Sequence, residues 1–447
     1  MLKRLATALW GEMSSEEWKK FLSLGGIFGL IIGTYWTLRP LKDGLFSELV
    51  GMEFAPDAKI VSLCVIVPLV MLYGKVVDRF PREKVFYVLT GLYGTLSVLF
   101  AFAMMHPKYG LGGTEPSHIL GYAWYVFVES FGSLIVALFW ALTSDITLPE
   151  SAKKGYYFVT LLGQIGGVMG PRYLKAKHFG FKTSAPIILI LATFIIGVGL
   201  LIKAFMTFTP KDQLVGYKGD DGAAKEETGF LEGLKLLLSK PYLLAIFAVI
   251  SIYEVIVTIL DYRFKLMARA NFPIEIDFTA YLNDYAQWVN FVAMLCIVLG
   301  VSNIQRRLGL SVSLALLPLM IASAVVTLKA APVLSVAFVI MVAAKAVNYA
   351  LNGPSLKQLY IPTSTDTKYK ASAWIEMFGS RGSKAIGSTI NKMRQSFLAQ
   401  YGLISGDTMF MAMSSYLSLG LIGFWFFIAL YLGRTHKKAI QENKIIC

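Results

Sequence analysis

Seven of the charged side chains within or at the ends of long apolar stretches of this sequence are candidate functional residues. They are five cations and two carboxylates: Arg39, Lys42, Lys345, Arg381, Lys384, Glu129 and Glu254. Lysine and arginine bind phosphate groups through charge-assisted hydrogen bonds, and carboxylates inside a membrane protein pair with such cations, repel anions or relay protons. These residue types therefore indicate the binding and movement of an anion.

Arg381 and Lys384 lie three residues apart and share one face of a helix. Gly379, Gly382 and Gly387 around them allow another group to approach closely. This face is suited to holding phosphate. Residues 379–384 are not a P-loop, because the G-x-x-x-x-G-K-[ST] spacing is absent and no strand is expected before them.

Charges inside apolar stretches require compensation. A charge at the centre of a membrane helix costs about 2.5–3.5 kcal/mol on insertion scales, so four of them cost on the order of 10 kcal/mol before pairing. Glu129 and Glu254 are too short to reach the headgroups, whereas Arg39 and Lys42 end the first apolar stretch and could extend to them. Salt bridges between helices that serve stability alone are the second interpretation, and pairs that break and re-form would serve both stability and transport.

The positions of these charges depend on about twelve predicted membrane spans. The chain has 447 residues, of which 56% are hydrophobic and 16% charged, and its mean hydropathy is +0.60. This composition is typical of an all-α, multi-pass membrane protein that lies in a lipid bilayer. The predicted spans are 21–38, 60–73, 85–105, 123–142, 156–169, 187–208, 243–260, 281–299, 312–327, 333–351, 373–390 and 409–432.

A polar segment divides the predicted spans into two groups of six. It predicts an N-terminal half at 1–208, a flexible cytoplasmic linker at 209–240, a C-terminal half at 241–434 and a cytoplasmic tail at 435–447. Two six-span parallel repeats are the pattern of major-facilitator-type transporters. In that arrangement spans one, four, seven and ten line the cavity, so most of the seven charges would converge there.

The net charge of +14 is explained by topology rather than by nucleic-acid binding. Most basic residues lie in short loops that fall on one side if the spans alternate, which predicts both termini in the cytoplasm. The lack of a cleavage site or transit peptide favours a bacterial inner membrane over a plastid envelope. One basic loop falls on the predicted outer side and marks either a miscounted boundary or a vestibule that attracts anions: Arg172, Lys175, Lys177 and Lys182.

Enzymatic chemistry has no support in the sequence. Cys64, Cys296 and Cys447 are far apart, which provides neither a disulfide framework nor a Cys-x-x-Cys metal site. The four histidines are scattered, and no nucleophile elbow or dinucleotide fingerprint is present. We therefore expect no catalytic residue, no metal and no cofactor.

Four segments resemble the nucleotide transporter family, the ATP/ADP translocases of obligate intracellular bacteria and plastids. Residues 39–45 (RPLKDGL) resemble its first-span Arg and Lys-Asp segment, and residues 129–133 (ESFGS) resemble its Glu-x-x-Gly-Ser. Tyr253 and Glu254 lie where the family has a span-seven glutamate. The most specific segment resembles its Tyr-Ile-Pro, Lys-x-Lys and Gly-x-Arg-x-x-Lys-x-x-Gly signature: residues 360–362, Lys368, Lys370 and residues 379–388.

The resemblance implies a secondary transporter that exchanges ATP and ADP by alternating access to a cationic site. Residues that the family requires for transport would fall on Lys42, Glu129, Glu254 and Lys384, with the glutamates paired to the lysines while the site is empty. Arg39, Lys345 and Arg381 would also hold phosphate. Members of the family also import other nucleotides with protons or carry NAD. Pro40 is a departure, since it is expected to kink or end the first helix.

Three aromatic residues near these charges are candidates to stack on the base: Tyr35, Trp36 and Tyr253. In a chain with 22 tyrosines and 30 phenylalanines, packing is their more common role. Two other functions remain open beside ATP/ADP exchange. The first is import of nucleotides, or of another phosphorylated or organic anion, together with protons. The second is a scaffold or sensor whose charges only stabilise helix contacts.

Overall fold

The structure is a computed structural model that describes residues 13–214, 230–298, 302–364, 374–375, 379–442 and 444–446. All regular elements in these residues are helical. The α-helices are α1 Ser15–Leu49, α2 Ala55–Arg79, α3 Arg82–Met104, α4 His118–Asp145, α5 Pro149–Tyr173, α6 Ala185–Phe208, α7 Phe230–Ser239, α8 Pro241–Asn271, α9 Glu275–Val298, α10 Ser302–Ala330, α11 Leu334–Val347, α12 Gly353–Gln358, α13 Ser380–Tyr401 and α14 Leu403–Gln441. Three 3₁₀ turns and one π-helical turn complete the described elements: Met52–Phe54, Ala176–Phe179, Lys211–Leu214 and Asn348–Asn352.

Nine helical stretches in the described residues are long and apolar enough to cross a membrane. They belong to α1, α2, α3, α4, α6, α8, α10, α14 and the continuous stretch Leu334–Gln358, which contains α11 and α12. Three further long helices, α5, α9 and α13, carry more polar residues and fall at predicted spans five, eight and eleven. The prediction of an all-α membrane protein is confirmed, and each of the twelve predicted spans overlaps a described helix.

Contacts divide the chain into two compact units. Unit 1 contains the described parts of Met1–Met52, Cys64–Ala223 and Phe272–Phe291, and unit 2 contains those of Glu53–Leu63, Ala224–Asn271 and Val292–Cys447. Each unit therefore includes one segment from the opposite side of the predicted linker. The start of α2 belongs to unit 2, and most of α9 belongs to unit 1.

Helix α1 begins with a capping box and continues through a proline. The Ser14 hydroxyl accepts a hydrogen bond from the Glu17 N–H at 3.1 Å, and the Glu17 carboxylate accepts one from the Ser14 N–H at 3.0 Å. Of the two outcomes expected at Pro40, a helix end is wrong, because α1 continues to Leu49. Nearly all of 36–49 is buried, and this packing outweighs the single backbone hydrogen bond that Pro40 removes.

Small residues let α1 and α5 pack backbone to backbone in unit 1. A Cβ added at Gly33 would lie 2.9 Å from the Gly166 carbonyl oxygen, and one added at Gly29 would lie 3.0 Å from the Leu162 carbonyl oxygen. Close approach through glycine is a common basis of helix association in membranes. This contact sets how closely α5 approaches α1, the helix that carries Arg39 and Lys42.

Two alanine substitutions on α1 are expected to distinguish the effect of this close packing on stability from the effect of helix propensity. Gly33→Ala should lower the free energy of unfolding by about 1–3 kcal/mol, because the new methyl group meets backbone that cannot move aside. Gly26→Ala has nothing within 4 Å of the added Cβ, so it should be neutral or slightly stabilising. Thermal unfolding in detergent measures both, and equal effects of the two variants would contradict the close contact.

Candidate functional site

In unit 1, Lys42 forms a buried ion pair between α1 and α4. Its ammonium group donates to the Glu129 carboxylate, lies 3.8 Å from an Asp43 carboxylate oxygen and sits 4.0 Å above the centre of the Tyr125 ring. Lys42 is only 3% exposed, so it does not extend to lipid headgroups. The Glu129 side chain remains 33% exposed. Two carboxylates around one ammonium group give this cluster a formal charge of −1.

Arg39 lies one turn before Lys42 on α1 and is half-buried. Its guanidinium carbon is 4.8 Å from the centre of the Trp36 ring and 5.7 Å from that of Tyr35. Trp36 is 8% exposed and therefore offers little ring surface to a base, whereas Tyr35 is half-buried and rests against Gly132 of α4. Arg39 thus keeps its charge next to a cation–π surface.

In unit 2, Lys384 of α13 pairs with Glu254 of α8. The ammonium nitrogen lies 3.5 Å from the Glu254 Oε1 atom, and the Ser380 hydroxyl donates to the same oxygen at 2.8 Å. The Lys384 side chain is 40% exposed and that of Glu254 is 19% exposed. Arg381 is half-buried on the same helix. Lys384 is therefore much more exposed than Lys42, whereas Glu254 is less exposed than Glu129.

The approach of α13 to α8 depends on Gly387. A Cβ added there would lie 2.9 Å from the Val255 carbonyl oxygen and 2.9 Å from the Thr258 Cβ. Further along the same contact, the Asn391 side-chain amide donates to the Thr258 carbonyl oxygen at 3.1 Å. Tyr253 is 7% exposed and meets the Trp425 ring of α14 at a centroid distance of 6.0 Å, which is a packing arrangement.

Lys345 belongs to a second charged cluster in unit 2. Its ammonium group donates to the Asp261 Oδ1 atom at 2.9 Å, and Lys265 lies 2.7 Å from the Asp261 Oδ2 atom. All three residues are buried, with 7%, 8% and 9% exposure for Asp261, Lys345 and Lys265. Lys345 is thus buried within unit 2, and its partner is a carboxylate outside the predicted set.

A family model covers almost the whole chain. Residues 1–111 and 119–436 match the model described as TLC ATP/ADP transporter. The chain belongs to this family. The predictions of a nucleotide transporter family and of a transporter rather than an enzyme are therefore confirmed, and the chain is a multi-pass membrane protein.

Relatives of this TLC family member are known in bacteria and plants. ADP,ATP carrier protein 1 of Rickettsia prowazekii (strain Madrid E) is 25% identical over 501 residues, which covers 99% of this chain and 98% of the relative. The chloroplastic ADP,ATP carrier protein 2 of Arabidopsis thaliana is 22% identical over 477 residues, which covers 96% of this chain and 76% of the relative. A crystal structure of a mutant of the nucleoside transporter NupG shares the fold, with a TM-score of 0.67, 14% identity and coverage of 92% of this chain and 99% of that one. The fold is therefore major-facilitator-like.

Sequence reasoning missed Asp261 and Lys265 in this TLC transporter. The predicted span stopped at residue 260 because the charges that follow lower the hydropathy of the window, whereas α8 continues to Asn271. Two signals were available: Asp261 and Lys265 are spaced i,i+4 as an ion pair on a helix, and Asp261 lies seven residues after Glu254, on the same face.

Two cations of the outer basic loop have acidic partners within unit 1. Lys175 pairs with Asp284 of α9, and Lys177 pairs with Asp277. Next to them the buried Glu275 carboxylate accepts hydrogen bonds from the Ser184 N–H at 3.0 Å and the Thr279 hydroxyl at 2.7 Å. These pairs reduce the positive charge that the loop offers to an anion. Lys368 and Lys370 lie outside the described residues.

No group of three or more histidine, cysteine, aspartate or glutamate side chains within the described ranges is arranged to hold a metal ion. The charged clusters are instead lysine–carboxylate pairs. Their chemistry is reversible binding of an anion, because a phosphate oxygen offers an ammonium group the same charge-assisted hydrogen bond as a carboxylate oxygen does.

Proposed function

We propose that this chain exchanges ATP for ADP across a membrane by alternating access, and that lysines paired with glutamates bind the nucleotide phosphates. The observation that carries the proposal is the pairing of Lys42 with Glu129 and of Lys384 with Glu254. These are the four residues that the family resemblance implies for transport. Relatives named ADP,ATP carrier proteins support the choice of nucleotides.

The lysine–glutamate pairs supply a mechanism for binding and release. In the empty protein each glutamate stabilises its lysine, so no unpaired cation is left in the membrane. A phosphate group that reaches Lys384 replaces Glu254 as its partner, and the exposed fraction of Lys384 makes this exchange accessible. When the nucleotide leaves, the glutamate returns. Arg39, Lys42, Lys345 and Arg381 are the further phosphate-binding groups that we propose.

Base recognition is assigned to Tyr35 ahead of the other two aromatic candidates. Its ring is half-buried and lies beside the Arg39 guanidinium, whereas Trp36 and Tyr253 are buried among protein atoms. A purine ring stacked on Tyr35 would place its phosphates toward the cations of α1. Other nucleotides and NAD are further substrates to test, because the phosphate-binding groups are common to all of them.

The proposed location is a bacterial inner membrane with both termini in the cytoplasm. Exposed basic residues lie at the end of α2, the start of α3 and the end of α14, and these three helix ends fall on the same side in an alternating twelve-span topology. They are Lys75, Arg79, Lys84, Arg434, Lys437 and Lys438. In the same proposal, 1–208 and 241–434 are the two transporting halves, 209–240 is the linker between them, and 435–447 is the cytoplasmic tail.

The test is uptake of labelled ATP into proteoliposomes that contain ADP, buffer alone or another nucleotide. We expect uptake only with internal ADP or ATP, since exchange requires a nucleotide for the return step. ATP carries one more negative charge than ADP, so exchange moves net charge and responds to voltage by about 2.3 kcal/mol per 100 mV. A potassium diffusion potential that is positive inside should therefore speed ATP entry. Absence of any nucleotide uptake by folded protein would contradict the proposal.

Proton-coupled nucleotide import is the second candidate, and the unit 1 cluster favours it. Asp43 and Glu129 both lie beside Lys42, so binding of one proton would neutralise the formal charge of −1. Import of this kind requires no internal nucleotide and increases when the outside is made acidic. Uptake into vesicles that contain only buffer, driven by a pH gradient, would show proton-coupled import instead of exchange.

A further inference from the structure

The inner face of α8 carries two carboxylates rather than the one found from the sequence. Glu254 and Asp261 are seven residues apart, so they lie on the same side of the helix about 10.5 Å apart along its axis. Each is paired with a lysine from another helix of unit 2: Lys384 of α13 for Glu254, and Lys345 of α11 for Asp261. The two positions repeat one arrangement along α8.

We propose that Asp261 is a positioning residue of transport, which holds Lys345 and Lys265 until a substrate phosphate takes its place. This proposal rests on the nucleotide transport proposed above. It deepens that function by adding a second point along α8 at which an anion exchanges with a carboxylate. Asp261 itself does not contact the anion, because both are negative.

The lysines around Asp261 favour exchange of this carboxylate for an anion. Lys265 and Lys345 both pair with Asp261, and Lys59 from the start of α2 adds a further attraction to the same carboxylate. A phosphate oxygen offers Lys345 the same charge-assisted hydrogen bond as the Asp261 carboxylate does. A phosphate that reaches Lys345 therefore keeps the buried ammonium group next to a negative charge when it separates from Asp261.

The helix that carries Lys345 is irregular at this point. Lys345 lies in the last turn of α11, and the π-helical turn Asn348–Asn352 follows it directly. Turns of this kind occur often at functional sites, since they interrupt the regular hydrogen bonding of an α-helix. The irregular hydrogen bonding of this turn therefore allows the backbone next to Lys345 to shift when the lysine changes partner.

A purely structural role of Asp261 predicts a different result from the proposed one. If the cluster only braces α8 against α11, removal of its charges lowers stability and leaves anion affinity unchanged. If Asp261 competes with phosphate for the two lysines, its removal tightens anion binding and slows release. Affinity and maximal exchange rate would then change in opposite ways, which loss of folded protein does not produce.

The experiment uses the purified full chain with inorganic tripolyphosphate and ATP as probes. For Asp261→Asn we expect the Kd for tripolyphosphate to fall about tenfold, equivalent to about 1.4 kcal/mol, and the maximal rate of ATP/ADP exchange to fall by at least a similar factor. Glu275→Gln is the matched control, because Glu275 is a buried carboxyl whose hydrogen bonds come from Ser184 and Thr279. It should leave the Kd for tripolyphosphate unchanged.

Lys345→Met provides a second variant in case Asp261→Asn does not fold. It leaves Asp261 paired with Lys265 four residues along α8, so no buried charge is left alone. We expect its KM for ATP to rise several-fold. If both folded variants have the same KM and Kd as the unchanged protein, the proposed role of Asp261 is overturned but the proposed function is not. Failure of the unchanged protein to bind either probe would overturn the proposed function, and this inference with it.

Discussion

Replacement of Lys384 by glutamine is expected to reduce the rate of ATP/ADP exchange at limiting ATP roughly 10- to 150-fold, while the protein stays folded. A hydrogen bond to a charged group contributes about 1.5–3 kcal/mol, which corresponds to this range of factors. The ion pair itself contributes little to stability, because the Lys384 side chain is 40% exposed and ion pairs with this access to solvent are worth about 0–1 kcal/mol. Transport and stability should therefore separate.

Lys392 is the matched control for Lys384. It lies two turns further along α13 and also forms an ion pair, at 2.7 Å from an Asp57 carboxylate oxygen, with 54% of its side chain exposed. Lys392→Gln removes the same charge from the same helix away from Glu254, so exchange should be unchanged. Exchange rates and thermal unfolding of both variants check the result, and equal losses of exchange would show that the net charge of α13 matters rather than Lys384.

Replacement of Lys42 by methionine is expected to destabilise the protein as well as abolish exchange. The substitution leaves the Asp43 and Glu129 carboxylates beside each other without the ammonium group, and the Asp43 side chain is only 7% exposed. Removal of one partner of a buried ion pair typically costs about 3–5 kcal/mol, because the other charge stays uncompensated. Low folded yield and a lower unfolding temperature are the expected signs.

A double variant tests whether this loss comes from uncompensated charge. Lys42→Met with Glu129→Gln removes one cation and one carboxylate, so it should recover much of the lost unfolding temperature. It should not recover exchange, since the phosphate-binding cation is still missing. Recovery of exchange by the double variant would show that Lys42 serves only to neutralise Glu129.

The charges in the apolar stretches were sufficient to predict that Glu129 and Glu254 pair with cations. Glu129 and Glu254 are costly in a membrane unless paired, so the sequence itself indicates that cations must lie near them. The family resemblance supplied Lys42 and Lys384 as candidates. Only the structure shows which lysine meets which glutamate, because pairs such as Lys42 and Glu129 are 87 residues apart. The roles of these pairs in binding phosphate stay predictions.

The sequence did not predict where α8 ends or that α1 continues past Pro40. Hydropathy measures the average cost of a segment in lipid, and it stops at Asp261 because a charged residue raises that cost regardless of its partners. The partners of Asp261 are on α8 and on α11, so its burial depends on tertiary contacts. Burial around Pro40 is likewise a property of the packed unit.

The division of α2 and α9 between the two units has a consequence for how the protein is made. The Tyr262 hydroxyl donates to the Glu53 carbonyl oxygen across 209 residues of sequence, and Lys392 of α13 reaches Asp57. The first half of the chain therefore leaves the ribosome long before the start of α2 can meet its partners. Contacts between residues far apart in sequence form late, so segments synthesised early lack their partners for a time. We therefore expect the N-terminal half to stay incompletely packed in the membrane until α13 has been synthesised, and neither half to fold fully by itself.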